Sequence, residues 1–265
     1  MQDLFSIEGK IALVTGGSRG IGEMIAAGFL ASGAKVYISS RKADVCEATA
    51  TRLAEKHGGE CIPLPADLSG LAGVEAVAAA LGECESQLDI LVNNAGATWG
   101  APIDEFPEQG WDKVMDTNVK GVFFLTQKLL PLLRKSATPD DPARVINVGS
   151  VDGLKTPIFD NFSYGPSKAA VHHLTRVMAA HLVKENIIVN AIAPGPFPTW
   201  MLSAGVGFGG EVEGQDWDAV GRGNPRGRVG MMEDIAGVAI FLSSRAGAYT
   251  VGDVITCDGG TLASS

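Results

Sequence analysis

The segment from Ile11 to Gly22, IALVTGGSRGIG, determines the fold that this 265-residue chain can adopt. An apolar run from Ile11 to Thr15 is typical of a buried strand, and a glycine-rich turn follows it at once. Apolar residues with helical spacing continue from Ile21 to Phe29, and Gly33 ends the helix. Glycines let the backbone turn tightly and approach a pyrophosphate, which free N–H groups at a helix N-terminus favour. The Thr-Gly-x-x-x-Gly-x-Gly spacing differs from the common dinucleotide fingerprint, but its place between strand and helix predicts a dinucleotide site.

Strand and helix patterns alternate along the rest of the chain, and no linker or change of composition divides it. Such alternation predicts a parallel sheet with helices on both faces. The predicted fold class is therefore α/β, a single-domain Rossmann-type doubly wound parallel sheet that spans residues 1–265. Further strands are predicted at 35–39, 61–65, 90–92, 145–148, 187–192 and 254–256, and further helices at 71–81, 111–134, from Tyr164 onward and at 233–243.

Tyr164 and Lys168 form a candidate proton-transfer pair, because a helix places residues four apart on one face. A phenol has a pKa of about 10, which is high for proton transfer at neutral pH. A cation about 4 Å away contributes roughly 4 kcal/mol at an effective dielectric near 20, or about three pKa units. We therefore expect Lys168 to lower the pKa of Tyr164 into the working range. Ser163 is predicted to cap this helix, with Gly165 and Pro166 in its first turn.

Ligands of open parallel sheets bind beyond the carboxyl ends of the strands. Gly16, Asp67, Asn94, Ser150 and Pro194 all follow predicted strands. Because these ends share one edge of the sheet, the sequence predicts that the five residues meet at one site.

The end of the second predicted strand indicates which dinucleotide binds. NAD-selective folds usually carry an acidic residue there, which accepts hydrogen bonds from a ribose hydroxyl. This chain has Ser40-Arg41-Lys42 instead, and Arg19 adds a cation within the glycine turn. Guanidinium groups suit phosphates. The sequence therefore predicts NADP, in its reduced form NADPH, as the cofactor.

One long glycine-rich segment, 203–230, interrupts the alternation of strands and helices. Irregular segments of this size in a compact domain are usually functional and often cover a substrate. Trp200, Met201, Phe208 and Trp217 supply apolar surface. We expect a substrate lid at about 198–230.

Composition restricts the partners and the compartment. A net charge of −9 argues against nucleic acid or an anionic membrane as a partner. Residues 1–10 lack the pattern of a signal peptide, and no apolar run approaches the roughly 18 residues needed to span a bilayer. We expect a cytoplasmic protein with a small-molecule substrate. The cysteines are scattered without a C-x-x-C pair, so no metal site is expected, and His172 is interpreted as a packing or subunit-contact residue.

Together these motifs resemble the short-chain dehydrogenase/reductase family, nearly from end to end of the chain. Within that family the chain is most similar to bacterial 3-oxoacyl-thioester reductases, including the rhamnolipid-pathway type. The motifs that carry the resemblance are Thr15–Gly22, Asn93-Asn94-Ala95-Gly96, Asn118, Ser150, Tyr164 with Lys168, Pro194-Gly195 and Asp258-Gly259-Gly260.

The resemblance implies a catalytic role for four residues. Tyr164 would protonate the carbonyl oxygen as hydride arrives from the nicotinamide, and Lys168 would lower the pKa of Tyr164 and hold the nicotinamide ribose. Ser150 would orient the substrate oxygen, and Asn118 would help to position a water for proton relay.

The family's cofactor contacts carry over in the same way. Asp67 would contact the adenine, Asn94 the adenosine ribose and Thr199 the carboxamide. The complete implied cofactor set is Gly16, Ser18, Arg19, Gly20, Ile21, Gly22, Ser40, Arg41, Asp67, Leu68, Asn94, Ala95, Gly96, Tyr164, Lys168, Pro194, Gly195, Phe197 and Thr199. A homotetramer, built partly from the helix of Tyr164 and the last helix and strand, is also implied.

Three positions depart from the family pattern, and two alternative functions stay open. Gly149 stands where a second serine is common, Pro166 replaces a small residue, and Asp152 places a carboxyl near the substrate. The expected function is NADPH-dependent reduction of a ketone, such as a 3-oxoacyl thioester, to a secondary alcohol. The first alternative is a dehydrogenase of a sugar, polyol or cyclic alcohol. The second is a non-catalytic NADPH-binding sensor.

Overall fold

A parallel sheet of seven strands forms the centre of the computed structural model, which describes residues 3–157 and 159–264. The strand order is β3-β2-β1-β4-β5-β6-β7, and every neighbouring pair is parallel. The chain crosses over between β3 and β4, so the carboxyl ends of β1 and β4 flank the crevice where such folds bind ligands. The predicted Rossmann-type doubly wound sheet is confirmed.

The strands agree with the sequence pattern to within two residues at each end. Their bounds are β1 Ile11–Thr15, β2 Lys35–Ser39, β3 Cys61–Pro63, β4 Ile90–Asn93, β5 Ala143–Val148, β6 Ile187–Pro194 and β7 Val254–Cys257.

Helices follow most strands and cross back over the sheet. Their bounds are α1 Gly20–Ala31, α2 Ala43–His57, α3 Leu71–Cys84, α4 Glu108–Met115, α5 Gly121–Ser136, α6 Tyr164–Leu182, α7 Trp200–Gly205, α8 Trp217–Arg222 and α9 Met232–Ser243. Helix α2 was not predicted. Its mean hydropathy is low, so only a narrow apolar stripe marks it in the sequence.

Two apolar cores lie on opposite faces of the sheet, because successive strand side chains point in opposite directions. Val14 of β1 packs with α1, α2 and α9, whereas its neighbour Leu13 packs with α3, α5 and α6. Both side chains are fully buried. This two-sided burial explains why the strands read as nearly continuous apolar runs.

The predicted helix 111–134 is not continuous. A π-helical stretch, Asp116–Lys120, separates α4 from α5. Such stretches are rare and are found frequently at functional sites. This one carries Asn118, whose side chain is only 1% exposed. The interruption depends on tertiary contacts of Asn118, which a helical periodicity does not reveal.

The predicted cap of α6 is wrong. Ser163 has φ −84° and ψ −23°, which are helical rather than extended angles, and its side chain makes no capping hydrogen bond. The residue is 0% exposed, and its Oγ has no hydrogen-bond partner among the described residues. Ser163 is therefore a buried residue that precedes α6 and not the cap of that helix.

The segment predicted as a lid contains regular structure. Helices α7 and α8 lie within it, and Phe208 and Trp217 pack edge to face with ring centroids 5.4 Å apart. The expectation of one long irregular region was therefore wrong in detail.

The buried core predicts a strong asymmetry between two leucines. Replacing Leu91 of β4, which is 0% exposed, with alanine should lower the free energy of unfolding by about 2–5 kcal/mol, because it leaves a cavity. The matched variant Leu71→Ala removes the same atoms from a side chain that is 41% exposed. It should change the free energy of unfolding by about 0.5 kcal/mol or less. Denaturant titrations at one protein concentration measure both values. Equal losses in the two variants would contradict the core assignment.

Candidate active site

Ser150, Tyr164 and Lys168 come together at the carboxyl end of β5. Ser150 lies two residues beyond the end of β5, and Tyr164 is the first residue of α6. Lys168 follows one turn later, is 5% exposed, and donates from Nζ to the carbonyl oxygen of Val148 at 2.8 Å. Its Nζ lies 5.6 Å from the centroid of the Tyr164 ring. The helical spacing read from the sequence thus does place both side chains on one face.

The electrostatics of this group differ from the expectation. Burial raises the pKa of Tyr164 to about 12, a hydrogen bond with Ser150 lowers it, and the charge of Asp152 raises it. The expected lowering of the Tyr164 pKa into the working range is therefore wrong for the chain's own groups. Burial also lowers the pKa of Lys168 to about 8. At neutral pH the phenol is protonated and the ammonium is charged.

Asn118 connects the loop after β4 with α6. Its Oδ1 accepts from the Ala97 N–H at 2.7 Å, and its Nδ2 donates to the Ala97 carbonyl at 3.0 Å and to Ser167 Oγ at 2.9 Å. Ser167 Oγ in turn donates to the Tyr164 carbonyl at 2.7 Å. Through these bonds Asn118 fixes the first turn of α6, which carries Tyr164.

The glycine turn forms a cradle at the N-terminus of α1. Gly16 and Gly20 have φ of +63° and +58°, a conformation that other residues rarely adopt. A β-carbon on Gly22 would lie 2.4 Å from the Gly16 carbonyl oxygen, so the turn has room only for glycine. In the described part of the chain no side chain caps α1, and its first N–H groups are free to meet an anion. The cradle therefore fits a pyrophosphate.

Asn94 holds this cradle closed. Its Nδ2 donates to the carbonyl oxygens of Thr15, at 2.8 Å, and Gly16, at 3.3 Å. The Thr15 hydroxyl accepts from the Asn94 and Ala95 N–H groups at 2.9 and 3.0 Å. The Asn94 amide, predicted to contact a ribose, is thus engaged with the glycine turn, and β1 and β4 are tied together at the crevice.

The cationic residues predicted to bind a phosphate lie at the edge of this crevice. Ser40 and Arg41 follow β2, Arg41 is exposed, and among residues 3–157 and 159–264 its guanidinium has no carboxylate partner. Helix α2 begins just beyond, without a side-chain cap. Arg19 is also exposed, and its guanidinium carbon lies 4.9 Å from the centroid of the Trp200 ring in α7. An uncapped helix and an unpaired guanidinium fit a phosphate monoester.

Three other predicted cofactor residues, Gly96, Asp67 and Leu68, have different surroundings. Gly96 borders the catalytic group, because a β-carbon there would lie 3.4 Å from Asn118 Oδ1 and 3.7 Å from Lys168 Nζ. Asp67 is exposed and accepts from the Ser69 N–H at 3.0 Å, whereas Leu68 is only 7% exposed and packs in a core.

The loop after β6 brings the last predicted residues to the glycine turn. Thr199 caps α7 by accepting from the Leu202 N–H at 3.2 Å, and a β-carbon on Gly20 would lie 3.2 Å from Thr199 Cγ2. Gly195 packs closely on Asp258, with room for no β-carbon, and Phe197 is buried. Pro194 ends β6.

Asn224 has a structural role that the sequence analysis missed. Its Nδ2 donates to the Asp258 carbonyl at 2.8 Å and to Thr261 Oγ1 at 3.0 Å, and its Oδ1 accepts from the Arg226 N–H at 2.9 Å. These bonds fasten the end of the 198–230 segment to the terminal Asp258-Gly259-Gly260 motif. The Asn-Pro pair at 224–225 was the available turn signal.

The described residues contain neither a membrane-spanning helix nor a metal-binding cluster. No helix there combines the length and apolarity that crossing a bilayer requires. No cluster of three or more histidine, cysteine or acidic side chains is placed to hold a metal ion.

Comparison with known proteins is consistent with this geometry. A family model described as Enoyl-(Acyl carrier protein) reductase matches residues 16–261. The rhamnolipids biosynthesis 3-oxoacyl-[acyl-carrier-protein] reductase of Pseudomonas aeruginosa is 51% identical over 98% of this chain and 99% of its own length. Gluconate 5-dehydrogenase of Gluconobacter oxydans is 35% identical over 99% of this chain and 98% of its own length. A solved Pseudomonas aeruginosa RhlG/NADP active-site complex superposes with a TM-score of 0.90 at 51% identity, covering 98% of this chain and 99% of that one.

The buried Lys168 predicts a particular dependence of stability on pH. Its pKa falls from 10.5 to about 8 on folding, so between these values the folded chain binds fewer protons than the unfolded chain. The destabilising cost of burying the cation is complete below about pH 8 and is relieved as pH rises toward 10.5. Relative to Lys168→Met, wild-type stability should therefore rise by up to about 1.4 kcal/mol per pH unit above pH 8.

Denaturant titrations of both proteins without added cofactor, in steps from about pH 7 to about pH 10, measure this difference. A difference that stays flat or falls over that range would show that Lys168 is not buried as described.

Proposed function

Because the chain belongs to the short-chain dehydrogenase/reductase family, we propose that it uses NADPH to reduce a ketone of a 3-oxoacyl thioester to a secondary alcohol. The observation that carries this proposal is the meeting of Ser150, Tyr164 and Lys168 beside the glycine cradle. The 3-oxoacyl reductase that is 51% identical over nearly the whole chain supports the substrate class.

The chain's own residues supply proton transfer and orientation. When bound, NADPH supplies the hydride that reaches the carbonyl carbon. Tyr164, protonated at neutral pH, donates its proton to the carbonyl oxygen, so the ketone becomes an alcohol. Ser150 donates a hydrogen bond that orients the same oxygen. The Lys168 ammonium, fixed by the Val148 carbonyl, stabilises the phenolate that Tyr164 leaves behind.

We propose that the cofactor lies along the crevice between β1 and β4. The cradle of Gly16, Ser18, Gly20, Ile21 and Gly22 would hold the pyrophosphate, and Arg19, Ser40 and Arg41 the additional phosphate of NADPH. The other predicted residues would line the adenine and nicotinamide ends of NADPH. They are Asp67, Leu68, Asn94, Ala95, Gly96, Pro194, Gly195, Phe197 and Thr199.

Exposed apolar side chains in segments that flank the catalytic residues in the chain support an acyl substrate. Leu154, Phe162 and Trp200 are 43%, 38% and 46% exposed, although large apolar side chains are usually buried. They come from the segments after Ser150, before Tyr164 and at the start of the lid. Asp152 adds a carboxyl to this surface, and burial raises its pKa while Lys155 acts in the opposite direction.

A second candidate function is a sugar or polyol dehydrogenase. The 35% identical gluconate 5-dehydrogenase and the polar Asp152 beside Ser150 support it. Turnover of a keto sugar acid in preference to a 3-oxoacyl thioester would favour this function.

We also propose a lid at about 198–230 and a cytoplasmic homotetramer. Thr199 and Asn224 fasten the two ends of the lid, and the Arg19–Trp200 contact joins it to the cofactor cradle. For assembly, Val177 of α6 and Val251 are 42% and 39% exposed, and apolar side chains so exposed suit a subunit contact. The free cysteines suit a reducing compartment.

The function predicts that Tyr164→Phe loses turnover but not cofactor binding. Removing the proton donor should lower kcat for acetoacetyl-CoA by roughly 100- to 10,000-fold, measured as NADPH absorbance, with little change in the Kd for NADPH. Tyr249→Phe removes the same hydroxyl from a side chain that is 102% exposed and should leave kcat unchanged.

The substrate panel for this experiment contains acetoacetyl-CoA, crotonyl-CoA and 5-keto-gluconate. Preference for crotonyl-CoA would assign enoyl reduction instead, and preference for 5-keto-gluconate would assign the sugar function. NADPH binding without turnover on a wider ketone panel would identify a sensor. Undiminished turnover in Tyr164→Phe would refute the catalytic assignment.

Cofactor selectivity gives a separate prediction. Hydrogen bonds to charged groups contribute about 1.5–3 kcal/mol, so Arg41→Ala should raise the KM for NADPH roughly 10- to 100-fold and leave the KM for NADH nearly unchanged. Arg245→Ala, after α9, is the matched control and should affect neither cofactor. Equal effects of Arg41→Ala on both cofactors would refute the phosphate assignment.

A further inference from the structure

The turn that carries Ser150 rests on the imidazole ring of His172. This histidine belongs to α6, one helical turn beyond Lys168, and is 2% exposed. The ring packs against the segment that contains Gly149, Ser150 and the 3-10 turn Val151–Gly153. Neither the cofactor assignment nor the proton transfer described above uses this ring.

Two glycines make room for the ring. A β-carbon on Gly149 would lie 2.0 Å from His172 Nε2, and one on Gly153 would lie 2.8 Å from Cε1. Real β-carbons do not approach so closely, so the ring requires glycine at position 149. At position 153 a β-carbon would also lie 2.7 Å from the Lys168 carbonyl carbon and from the Ala169 nitrogen, so the backbone of α6 requires this glycine as well. The departure at Gly149, where relatives in the family commonly have a serine, thereby acquires a physical reason.

The ring also satisfies a backbone donor. The pairing of β5 with β6 continues as far as Gly149, whose N–H donates to the Ile192 carbonyl at 2.7 Å. Ser150 lies just beyond, and its N–H donates to His172 Nε2 at 3.4 Å, which is long for such a bond. A buried backbone N–H without an acceptor is costly, so this contact selects one position for the turn.

The protonation state of the ring permits this acceptor role. Burial lowers the pKa of His172 to about 4, the cations Lys168 and Arg176 lower it further, and the Gly153 backbone raises it. The ring is therefore neutral at neutral pH. With Nε2 accepting, the proton of the neutral ring resides on Nδ1, which is buried.

We propose that His172 is a positioning residue for Ser150: its imidazole, admitted by Gly149 and Gly153, holds the serine backbone so that the hydroxyl faces Tyr164. The proposal rests on the catalytic role proposed for Ser150. Ser150 Oγ also accepts from the Asp152 N–H at 3.1 Å, so a displaced backbone would move both groups. A misplacement of about 1 Å can lower a rate by roughly 100-fold.

The first experiment compares His172→Leu with His172→Gln and the matched control His173→Leu, whose native side chain is exposed. Leucine keeps apolar volume without an acceptor, whereas the glutamine Oε1 can accept from the Ser150 N–H. NADPH titration counts competent sites, and kcat is expressed per site. We expect His172→Leu to lower kcat about 10- to 100-fold with little change in the Kd for NADPH. His172→Gln should recover most of that loss, and His173→Leu should behave as wild type.

The second experiment tests the shared space. Gly149→Ala should lower kcat, because its methyl group meets the ring, and His172→Ala should lower kcat, because the acceptor is lost. In the double variant the methyl group has space, so its kcat should match that of His172→Ala instead of showing the product of the two losses. If His172→Leu yields no folded protein, the loss in His172→Ala and its recovery in His172→Gln replace that comparison.

Ser150→Ala separates failure of this inference from failure of the proposed function. An inactive Ser150→Ala beside a His172→Leu with kcat per site within about twofold of wild type would overturn the positioning role only. Equal losses in the leucine and glutamine variants, or a loss in the double variant equal to the product of the two single losses, would overturn it as well. A fully active Ser150→Ala would overturn the catalytic role of the serine itself.

Discussion

The hydrogen bond from Lys168 Nζ to the Val148 carbonyl, 2.8 Å long, is the contact on which the site depends. It joins α6 to the end of β5, and so fixes Tyr164 and Lys168 relative to Ser150. The bond requires a buried cation, and burial lowers the pKa of Lys168 to about 8. Burial also keeps the Tyr164 phenol protonated. It places this phenol near the Lys168 ammonium, whose charge stabilises the phenolate.

A second constraint aligns the cofactor crevice with this group. The Asn94 amide closes the glycine turn, and the Asn118 amide fixes the first turn of α6. Asn94 directly follows β4, and Asn118 lies in the stretch between α4 and α5. The crossover between β3 and β4 opens the crevice at β1 and β4. Binding and proton transfer are therefore built on the same strand ends, and a displacement of one affects the other.

Local pattern predicted much of this arrangement, and tertiary burial accounts for the rest. The local sequence of Ile11–Phe29 predicts its structure, because an apolar run, a glycine-rich turn and helical spacing each require a particular backbone geometry. The fold class could therefore be predicted from the sequence. Three features depend on what surrounds each side chain. They are the helix interruption at Asn118, the absence of a capping bond from Ser163 to α6, and the raised pKa of Tyr164. Likewise, His172 was interpreted as a packing or subunit-contact residue, and it is buried, but its contact with Ser150 depends on a turn that no periodicity describes.

A crystal structure with NADP and a non-reacting 3-oxoacyl thioester analogue tests the central claim most directly. The account predicts that the Tyr164 and Ser150 hydroxyls both lie about 2.6–3.2 Å from the ketone oxygen. It also predicts that the carbonyl carbon faces the reactive carbon of the nicotinamide. A ketone bound elsewhere, or a Tyr164 hydroxyl directed toward bulk water or another subunit, would contradict it.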